Sequence, residues 1–168
     1  MERICYHSMR HEEGDEEVSV KDCILLASGN RKKDLPYIAK VSSLWESPED
    51  GEMMMSLLWF YRPEHTDIGR QPDDCRDEVF ASKHRDFTSV ACIEDKCFVM
   101  TFNEYCRYMR FSRMVDSGVT PAWNIVPDRK DGYPRASLLP TCQVANDRVF
   151  LCRKVYDPKG RRMYKNPY

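Results

Sequence analysis

Three aromatic residues in two neighbouring apolar segments have the most distinctive chemistry in this sequence. Trp59 and Tyr61 lie two positions apart in segment 53–61, and Tyr37 begins segment 37–45. If both segments are strands, Trp59 and Tyr61 project from the same face, because side chains two positions apart share a face. A hairpin between the segments pairs residues whose numbers sum to about 98, with Tyr37 opposite Tyr61 and diagonal to Trp59. The pattern therefore predicts that the three rings converge.

A cluster of three rings offers one particular chemistry, which is the binding of a quaternary ammonium group. Such a group is too weakly hydrated for a hydrogen-bonding pocket, but the negative faces of aromatic rings attract it by about 0.5–2 kcal/mol per contact. Tryptophan and tyrosine in strands also serve as ordinary packing residues. Spacing alone therefore leaves two interpretations open for Tyr37, Trp59 and Tyr61, namely walls of a cation-binding cage or packing within a core.

Polar residues near the predicted cluster have the chemistry to contact an extended peptide. Glu64 and Asp86 carry carboxylates that suit guanidinium groups and backbone donors, and His65 adds an imidazole. The alternative for each is an ordinary solvated loop residue. The basic groups Arg31–Lys33 and Lys159–Lys165 either contact nucleic acid weakly or form a solubilising surface.

Length and composition restrict the class of protein. The 168 residues predict about one domain with a core that needs no disulfide or metal. Hydrophobic residues make up 42% and charged residues 32%, as is typical of globular proteins. The formal net charge of −1 argues against a purely electrostatic nucleic-acid binder. No apolar run approaches the roughly 20 residues of a membrane span, so we expect no membrane partner.

The eight cysteines do not form a recognisable metal motif. Met1–Arg10 lacks the apolar core of a secretory signal, so we expect reduced, intracellular thiols. Cys92, Cys97 and Cys106, with His84 upstream, are spaced more widely than the usual zinc knuckles. We favour buried strand cysteines over a zinc-supported or thiol-reactive enzyme. Since no common catalytic motif is present, we expect a binding module without cofactor or metal.

Apolar patterning predicts a mostly-β fold with one short helix. Strands are predicted at 18–26, 37–45, 53–61, 78–82, 89–93, 97–102 and 149–156. A tight hairpin is predicted at 94–96, a helix over 104–113 with Asn103 as its cap, and a loop over 64–77. The four prolines of 115–147 predict an irregular excursion. Many short strands with little helix indicate a barrel or a sandwich.

Six ordered blocks of this sequence resemble the bromo-adjacent homology (BAH) domain. They are 20–26 (VKDCILL), 36–46 (PYIAKVSSLWE), 59–66 (WFYRPEHT), 77–82 (DEVFAS), 89–97 (SVACIEDKC) and 149–157 (VFLCRKVYD). The resemblance implies a distorted antiparallel β-barrel with irregular C-terminal loops, found in nuclear chromatin proteins. It divides the chain into an acidic N-terminal extension, 1–17, and a BAH domain, 18–168.

One subgroup of the family shares a further feature with this chain. Met54-Met-Ser-Leu-Leu-Trp59 stands before the Tyr61–His65 block, and this order is similar to the heterochromatin-silencing, winged-eye-like animal proteins. That subgroup is implicated in reading trimethylated lysine 27 of histone H3. The resemblance thus implies a partner, the H3 tail carrying trimethyl-lysine, within the nucleosome and alongside unidentified silencing proteins.

The same resemblance assigns roles to individual residues. The implied cage consists of Tyr37, Trp59 and Tyr61, and the implied contacts to the flanking histone tail are Glu64, His65 and Asp86. Trp45, which lies beside the predicted turn, is expected in the core. Because a fold does not determine a function, the alternative is a BAH docking module for proteins or nucleosomes that does not read methylation.

Overall fold

The fold is built mainly from β-strands, as the sequence predicts. The structure is a computed structural model that describes residues 3–10, 16–29, 35–127 and 139–165. Its strands are β1 (Ile4–Tyr6), β2 (Ser8–Arg10), β3 (Glu17–Ser19), β4 (Cys23–Leu26), β5 (Tyr37–Glu46), β6 (Met53–Phe60), β7 (Glu78–Ala81), β8 (Arg85–Ser89), β9 (Ile93–Met100), β10 (Val149–Asp157) and β11 (Arg162–Lys165). Helix α1 (Phe102–Asp116) lies between β9 and β10. No helix in the described ranges is long and apolar enough to span a membrane.

A nine-stranded sheet carries the fold. Its order is β11-β10-β9-β4-β5-β6-β8, with β1 beside β5 and β7 beside β10, while β2 and β3 form a separate hairpin. The strands do not close into a regular barrel but form a distorted β-sandwich, in which an isolated bridge joins Tyr61 to Phe80. Pairing is antiparallel as predicted, except that β10 runs parallel to β7 and to β9.

Two hydrophobic clusters occupy opposite faces of the central strands. Leu25 and Ile38 belong to the first cluster, whereas Ile24 and Ala39 belong to the second. Because side chains alternate along a strand, β4 is buried on both of its faces, as its continuous apolar run predicts. Trp45 is only 6% exposed, which confirms its predicted place in the core.

A third cluster lies beneath α1 and includes part of the predicted irregular excursion. Tyr108 of the helix packs with Ile125 and Leu139, which flank residues 128–138. Trp123 stacks edge-on against Phe111 of α1, with ring centroids 5.5 Å apart. This part of the excursion therefore packs on the helix, whereas residues 128–138 lie outside the described chain.

The predicted continuous strand 18–26 is wrong. The chain turns between β3 and β4, where Lys21 has a φ of 80° and the backbone N–H of Ser19 donates to Asp22 Oδ2 at 2.9 Å. The polar pair Lys21 and Asp22 marks this turn in the sequence.

The predicted hairpin at 94–96 and the predicted strand 89–93 are also wrong. Strand β9 continues through the three charged residues, because Asp95 and Lys96 pair with Leu25 and Ile24 of β4, although the register shifts between Asp95 and Ile93. Lys96 forms an ion pair at 3.2 Å with Asp22, which lies in the turn before β4, so the charge of this strand residue is compensated. The preceding strand is β8, which ends at Ser89, and residues 90–92 form a single 3₁₀ turn.

Pairing also reveals strands that the sequence did not indicate. Strand β1 pairs with β5, so residues before position 18 contribute to the main sheet. The basic segment 159–165 was expected to be a loop, but β11 pairs with β10 after a turn. The second basic group, Arg31–Lys33, lies outside the described residues.

Helix α1 begins earlier than predicted and has a different cap. The side chain of Thr101 accepts a hydrogen bond from the backbone N–H of Glu104, and the Glu104 side chain accepts one from the backbone N–H of Thr101. This reciprocal capping box satisfies two backbone donors, so Asn103 lies within the first turn instead of capping it.

Replacing Thr101 with alanine is therefore expected to lower the free energy of unfolding by about 1 kcal/mol, because a backbone donor of the first turn loses its partner. Asn103→Ala is the matched control and should change it by less than about 0.5 kcal/mol. Urea denaturation of both variants checks this. A larger loss for Asn103→Ala than for Thr101→Ala would contradict the observed cap.

Candidate functional site

The pairing of β5 with β6 brings two of the three predicted aromatic residues together. Ala39 pairs with Trp59 and Ile38 with Phe60, which confirms the predicted register at this end of the hairpin. The rings of Tyr37 and Trp59 lie edge to face, with centroids 5.8 Å apart and an interplanar angle of 73°. Their predicted proximity is confirmed, whereas their role as cage walls stays a prediction.

These two rings continue the inward face of the hairpin to the protein surface. Leu57 and Ala39 share strand parity with Trp59 and Tyr37 and are fully buried in the second cluster. Trp59 is half-buried and packs against that cluster, and Tyr37 is 44% exposed. The core face of the hairpin therefore ends in an accessible aromatic pair.

Tyr61 lies next to this pair in sequence but has different ring neighbours. The β5–β6 pairing ends at Phe60, so Tyr61 bridges Phe80 of β7 and is not paired with Tyr37 as predicted. The Tyr61 ring stacks on His84, with centroids 6.1 Å apart, and meets the buried Tyr156 edge-on at 5.3 Å. Burial, followed by the nearby Tyr156, raises the pKa of the Tyr61 hydroxyl.

Ser82 and His84, which follow β7, form hydrogen bonds with Trp59 and Tyr61. The backbone N–H of Trp59 donates to the carbonyl of His84 at 3.0 Å, and the Ser82 hydroxyl donates to the carbonyl of Trp59 at 2.6 Å. The Tyr61 hydroxyl and His84 Nδ1 share a hydrogen bond of 2.6 Å. Residues 80–84 thus fix the positions of these two aromatic residues relative to each other.

Two of the three predicted flanking residues lie against the aromatic pair. The indole Nε1–H of Trp59 donates to Asp86 Oδ2 on β8 at 3.3 Å. The His65 ring lies 6.1 Å from the Tyr37 ring, at an interplanar angle of 65°. A carboxylate and an imidazole therefore border opposite members of the pair.

Glu64, the third predicted flanking residue, already has a strong partner. It forms an ion pair with Arg70 at 2.7 Å. Partial burial alone would raise the pKa of Glu64, but hydrogen bonds from its own backbone N–H and from Arg70 outweigh it and lower the pKa. Glu64 is therefore a weaker candidate for binding a peptide cation than Asp86.

Arg62 is a positioning residue that sequence reasoning missed. Its Nη2 donates to the carbonyl of Pro36 at 2.9 Å, and its guanidinium lies 5.4 Å from the centroid of the Phe150 ring. Burial is the largest effect on its pKa, which is lowered. Because Pro36 precedes Tyr37, this bond ties the start of β5 to the residue after Tyr61. The only sequence signal for Arg62 was its position between Tyr61 and Pro63.

The cysteine residues do not support a zinc site in the described part of the chain. Cys97 is buried in the first cluster opposite Cys23, as the favoured interpretation predicts, but Cys92 and Cys106 are exposed. No group of three or more histidine, cysteine or acidic residues among the described positions could hold a metal ion. The exposed positions of Cys92 and Cys106 correct the expectation that all three are buried.

Iodoacetamide at pH 8 is expected to label Cys92 and Cys106 in the native chain and to leave Cys23 and Cys97 unmodified. Burial raises the pKa of the Cys23 thiol to about 12 and also raises that of Cys97, so both remain protonated and poorly nucleophilic. Peptide mass spectrometry checks this, with urea-unfolded protein as the control in which all four react. Equal labelling of Cys97 and Cys92 without urea would contradict the observed packing.

Comparison with known families gives a match over most of the chain. The sequence profile of the BAH domain family matches residues 16–167. The structure of the yeast Rsc2 BAH domain superposes with a TM-score of 0.63 at 21% identity, covering 96% of this chain and 54% of that one. That likeness shows a shared fold.

Curated relatives include two chromatin proteins of Arabidopsis thaliana. Chromatin remodeling protein EBS is 31% identical over 130 residues, covering 72% of this chain and 53% of the relative. Chromatin remodeling protein SHL is 34% identical over 86 residues, covering 51% of this chain and 37% of the relative. Origin of replication complex subunit 1 of Oryza sativa subsp. japonica is 32% identical over 69 residues, 41% of this chain and 8% of that protein. The chain thus spans about half or less of each relative.

Proposed function

The chain belongs to the BAH domain family, and from this premise we propose that it is a chromatin reader module that binds a histone H3 tail through a trimethylated lysine. Lysine 27 is the proposed mark, in line with the winged-eye-like animal subgroup that the sequence resembles. We place the protein on chromatin in the nucleus and assign it a binding role without catalysis. The proposed domain is 18–168, with an N-terminal extension that adds β1.

The observation that carries this proposal is the accessible pair of exposed Tyr37 and half-buried Trp59, whose ring centroids lie 5.8 Å apart. A trimethylammonium group that rests on both ring faces gains about 1–4 kcal/mol, because each contact is worth about 0.5–2 kcal/mol. Tyr61, two residues after Trp59, is proposed as the third wall. Its hydroxyl is held by His84, so its ring is oriented before ligand arrives.

Asp86 supports the proposal by electrostatics and by position. Its carboxylate accepts the Trp59 indole hydrogen, which restricts rotation of that ring, and it places a negative charge next to the proposed cation site. His65 beside Tyr37 is proposed to border the peptide on the other side. Glu64 can contribute only in competition with Arg70. Lys159 and Arg162 are exposed near the β10–β11 turn and are proposed to touch nucleosomal DNA weakly.

Replacing Asp86 with asparagine is expected to weaken binding of the trimethylated peptide about two- to fivefold, since an exposed charge contributes about 0.5–1 kcal/mol. Asp86→Ala should weaken it further, because the indole also loses its acceptor. Titrations at 50 and 300 mM salt check the electrostatic origin, since the difference between wild type and Asp86→Asn should shrink at high salt. Asp74→Asn, a substitution in the loop after Pro63–His65, is the control. Tighter binding by Asp86→Asn would contradict this role.

Calorimetric titration with three matched H3 peptides tests the proposed function. The peptides are unmodified, trimethylated at lysine 27, and trimethylated at lysine 9. We expect binding only to the peptide with the lysine 27 mark. Equal binding to the two trimethylated peptides would contradict sequence readout, and equal binding to all three, or none, would contradict methyl-lysine reading.

A second candidate function is docking to proteins or nucleosomes without reading methylation. The placement of Tyr61 favours it, because the ring neighbours of Tyr61 in the described structure are His84 and Tyr156, and not Tyr37 and Trp59. Under this alternative, nucleosomes that carry or lack the lysine 27 mark bind with equal affinity.

A further inference from the structure

A second concave surface lies along α1, and none of its residues belongs to the aromatic pair or its neighbours. We call it the α1 groove. Its volume is about 610 Å³, within the range of ligand-binding pockets. Its lining includes Tyr105, Met109, Met114 and Val119, together with Arg110 and Arg113. The surface therefore combines an apolar floor with cationic side chains.

The helix sequence and its termination shape the α1 groove. Tyr105 and Met109 are four residues apart, so they stand on one helix face and partly pack on the third cluster. Gly118 adopts a φ of +80°, which stops the helix, and the N–H of Val119 then donates to the carbonyl of Met114 at 2.9 Å. This turn folds Val119 back against the end of the helix, where it remains 50% exposed.

The α1 groove is elongated. Its lining follows the helix from Tyr105 to Ser117, which at 1.5 Å per residue is about 18 Å. A small ligand would fill only part of this length, whereas about three turns of a second helix would match it. The two methionine residues, Met109 and Met114, suit such an occupant because their flexible side chains adapt to apolar partners.

The cationic side chains of the groove have no acidic partner among the described residues. In the described part of the chain, neither Arg110 nor Arg113 forms an ion pair. The acidic residue nearest the helix end, Asp116, instead accepts a hydrogen bond from Gln143 at 2.9 Å. Arg107 differs from the other two, because it donates to the backbone carbonyls of residues 124 and 125 at 2.7 Å. Two arginine residues without an ion pair among the described residues therefore border the apolar floor, and the guanidinium of one of them, Arg110, lies 5.8 Å from the centroid of the Trp123 ring.

We propose that the α1 groove binds an acidic amphipathic helix of a partner protein. Aliphatic side chains of the partner, spaced three and four residues apart, lie on Met109, Met114 and Val119. Its flanking carboxylates pair with Arg110 and Arg113. This second surface is independent of methyl-lysine binding, so one chain joins a histone tail to a second protein.

Two designed peptides of about 18 residues test the proposal. Both carry leucine at helical a and d positions. One has glutamate at the flanking positions, and the other has lysine there. Fluorescence anisotropy with the fluorescein-labelled peptides measures binding to the full chain. We expect the glutamate peptide to bind at least tenfold more tightly than the lysine peptide.

Charge reversal locates the interaction. The double variant Arg110→Glu and Arg113→Glu is expected to lose at least tenfold affinity for the glutamate peptide and to gain affinity for the lysine peptide. Lys159→Glu with Arg162→Glu makes the same change of net charge at the β10–β11 turn and should leave both affinities within twofold of wild type. Circular dichroism confirms that each variant is folded.

Three results would overturn the proposal. The first is the absence of saturable binding by the glutamate peptide. The second is an equal loss of affinity in the Lys159 and Arg162 variant, which would indicate attraction to net charge alone. The third is displacement of the glutamate peptide by decanoate, a fatty acid, at a concentration equal to that of the protein. This would identify the groove as a site for small amphiphilic acids.

Discussion

Replacing Trp59 with alanine is expected to lower affinity for an H3 peptide trimethylated at lysine 27 by at least about thirtyfold. Tryptophan is the aromatic residue that binds cations best, and a desolvated contact of the proposed ligand with the Trp59 indole would be worth about 2 kcal/mol. Trp59 is half-buried at the edge of the second cluster, so its removal should cost only about 1–2 kcal/mol of stability. Calorimetric titration and thermal unfolding of the same preparation separate the two effects.

Trp45→Ala is the matched control for Trp59→Ala, since it removes the same side chain from the interior. Trp45 is 6% exposed, and its loss should lower the free energy of unfolding by about 3–5 kcal/mol. Any fraction of this variant that remains folded should bind the peptide with the affinity of wild type. If Trp59→Ala unfolds as readily as Trp45→Ala, or if it keeps wild-type affinity, Trp59 is a packing residue and not a cage wall.

An effect on stability as large as that of Trp45→Ala is expected at Arg153, which pairs with a buried carboxylate. Glu78 is only 1% exposed, and Arg153 bonds its two oxygens at 2.7 and 2.5 Å. In Arg153→Leu, the Glu78 carboxylate keeps the hydrogen bond that it accepts from the backbone N–H of Cys75 at 3.2 Å. An uncompensated buried charge costs about 3–5 kcal/mol, so the free energy of unfolding measured by urea denaturation should fall by that amount.

Arg161→Leu serves as the control for this buried pair. Arg161 forms an ion pair with Asp67 at 3.1 Å, but the two side chains are 78% and 52% exposed. Such a surface pair contributes about 0–1 kcal/mol, so the variant should be nearly as stable as wild type. Equal losses in Arg153→Leu and Arg161→Leu would show that Glu78 does not depend on its arginine.

The meeting of Tyr37 and Trp59 was predictable because it depends only on local pairing. The turn after β5 brings two adjacent strands together, and Gly51 with a φ of 73° completes that turn. Once the register is known, the alternation of side chains places both rings on one face. The geometry of one hairpin therefore accounts for the proximity of Tyr37 and Trp59 in the candidate site.

The placement of Tyr61 depends on a distant segment and was not predictable. Strand β6 ends at Phe60, because Tyr61 instead bonds Phe80 through two backbone hydrogen bonds of 2.8 Å. The loop between them carries no pattern that fixes where β7 returns to the sheet. The predicted register, continued one pair beyond the last observed pair of Ile38 and Phe60, therefore assigned Tyr61 the wrong pairing partner.

Tertiary contacts also explain the error at β9. Three consecutive charged residues at 94–96 are typical of a turn, yet two of them have partners in the fold. Asp95 pairs with Arg148 at 3.4 Å and Lys96 with Asp22 at 3.2 Å. Compensation by residues remote in sequence allows charged side chains within a strand, and no local pattern reveals it.

The most direct test of the aromatic site compares two H3 peptides that differ by one atom. One carries trimethyl-lysine at position 27, and the other carries the uncharged analogue in which carbon replaces the ammonium nitrogen. The two side chains have nearly the same shape, so only the cation–ring attraction differs. Calorimetry should show the charged peptide binding at least about tenfold more tightly. Equal affinity for the two peptides, or binding to neither, would contradict the account.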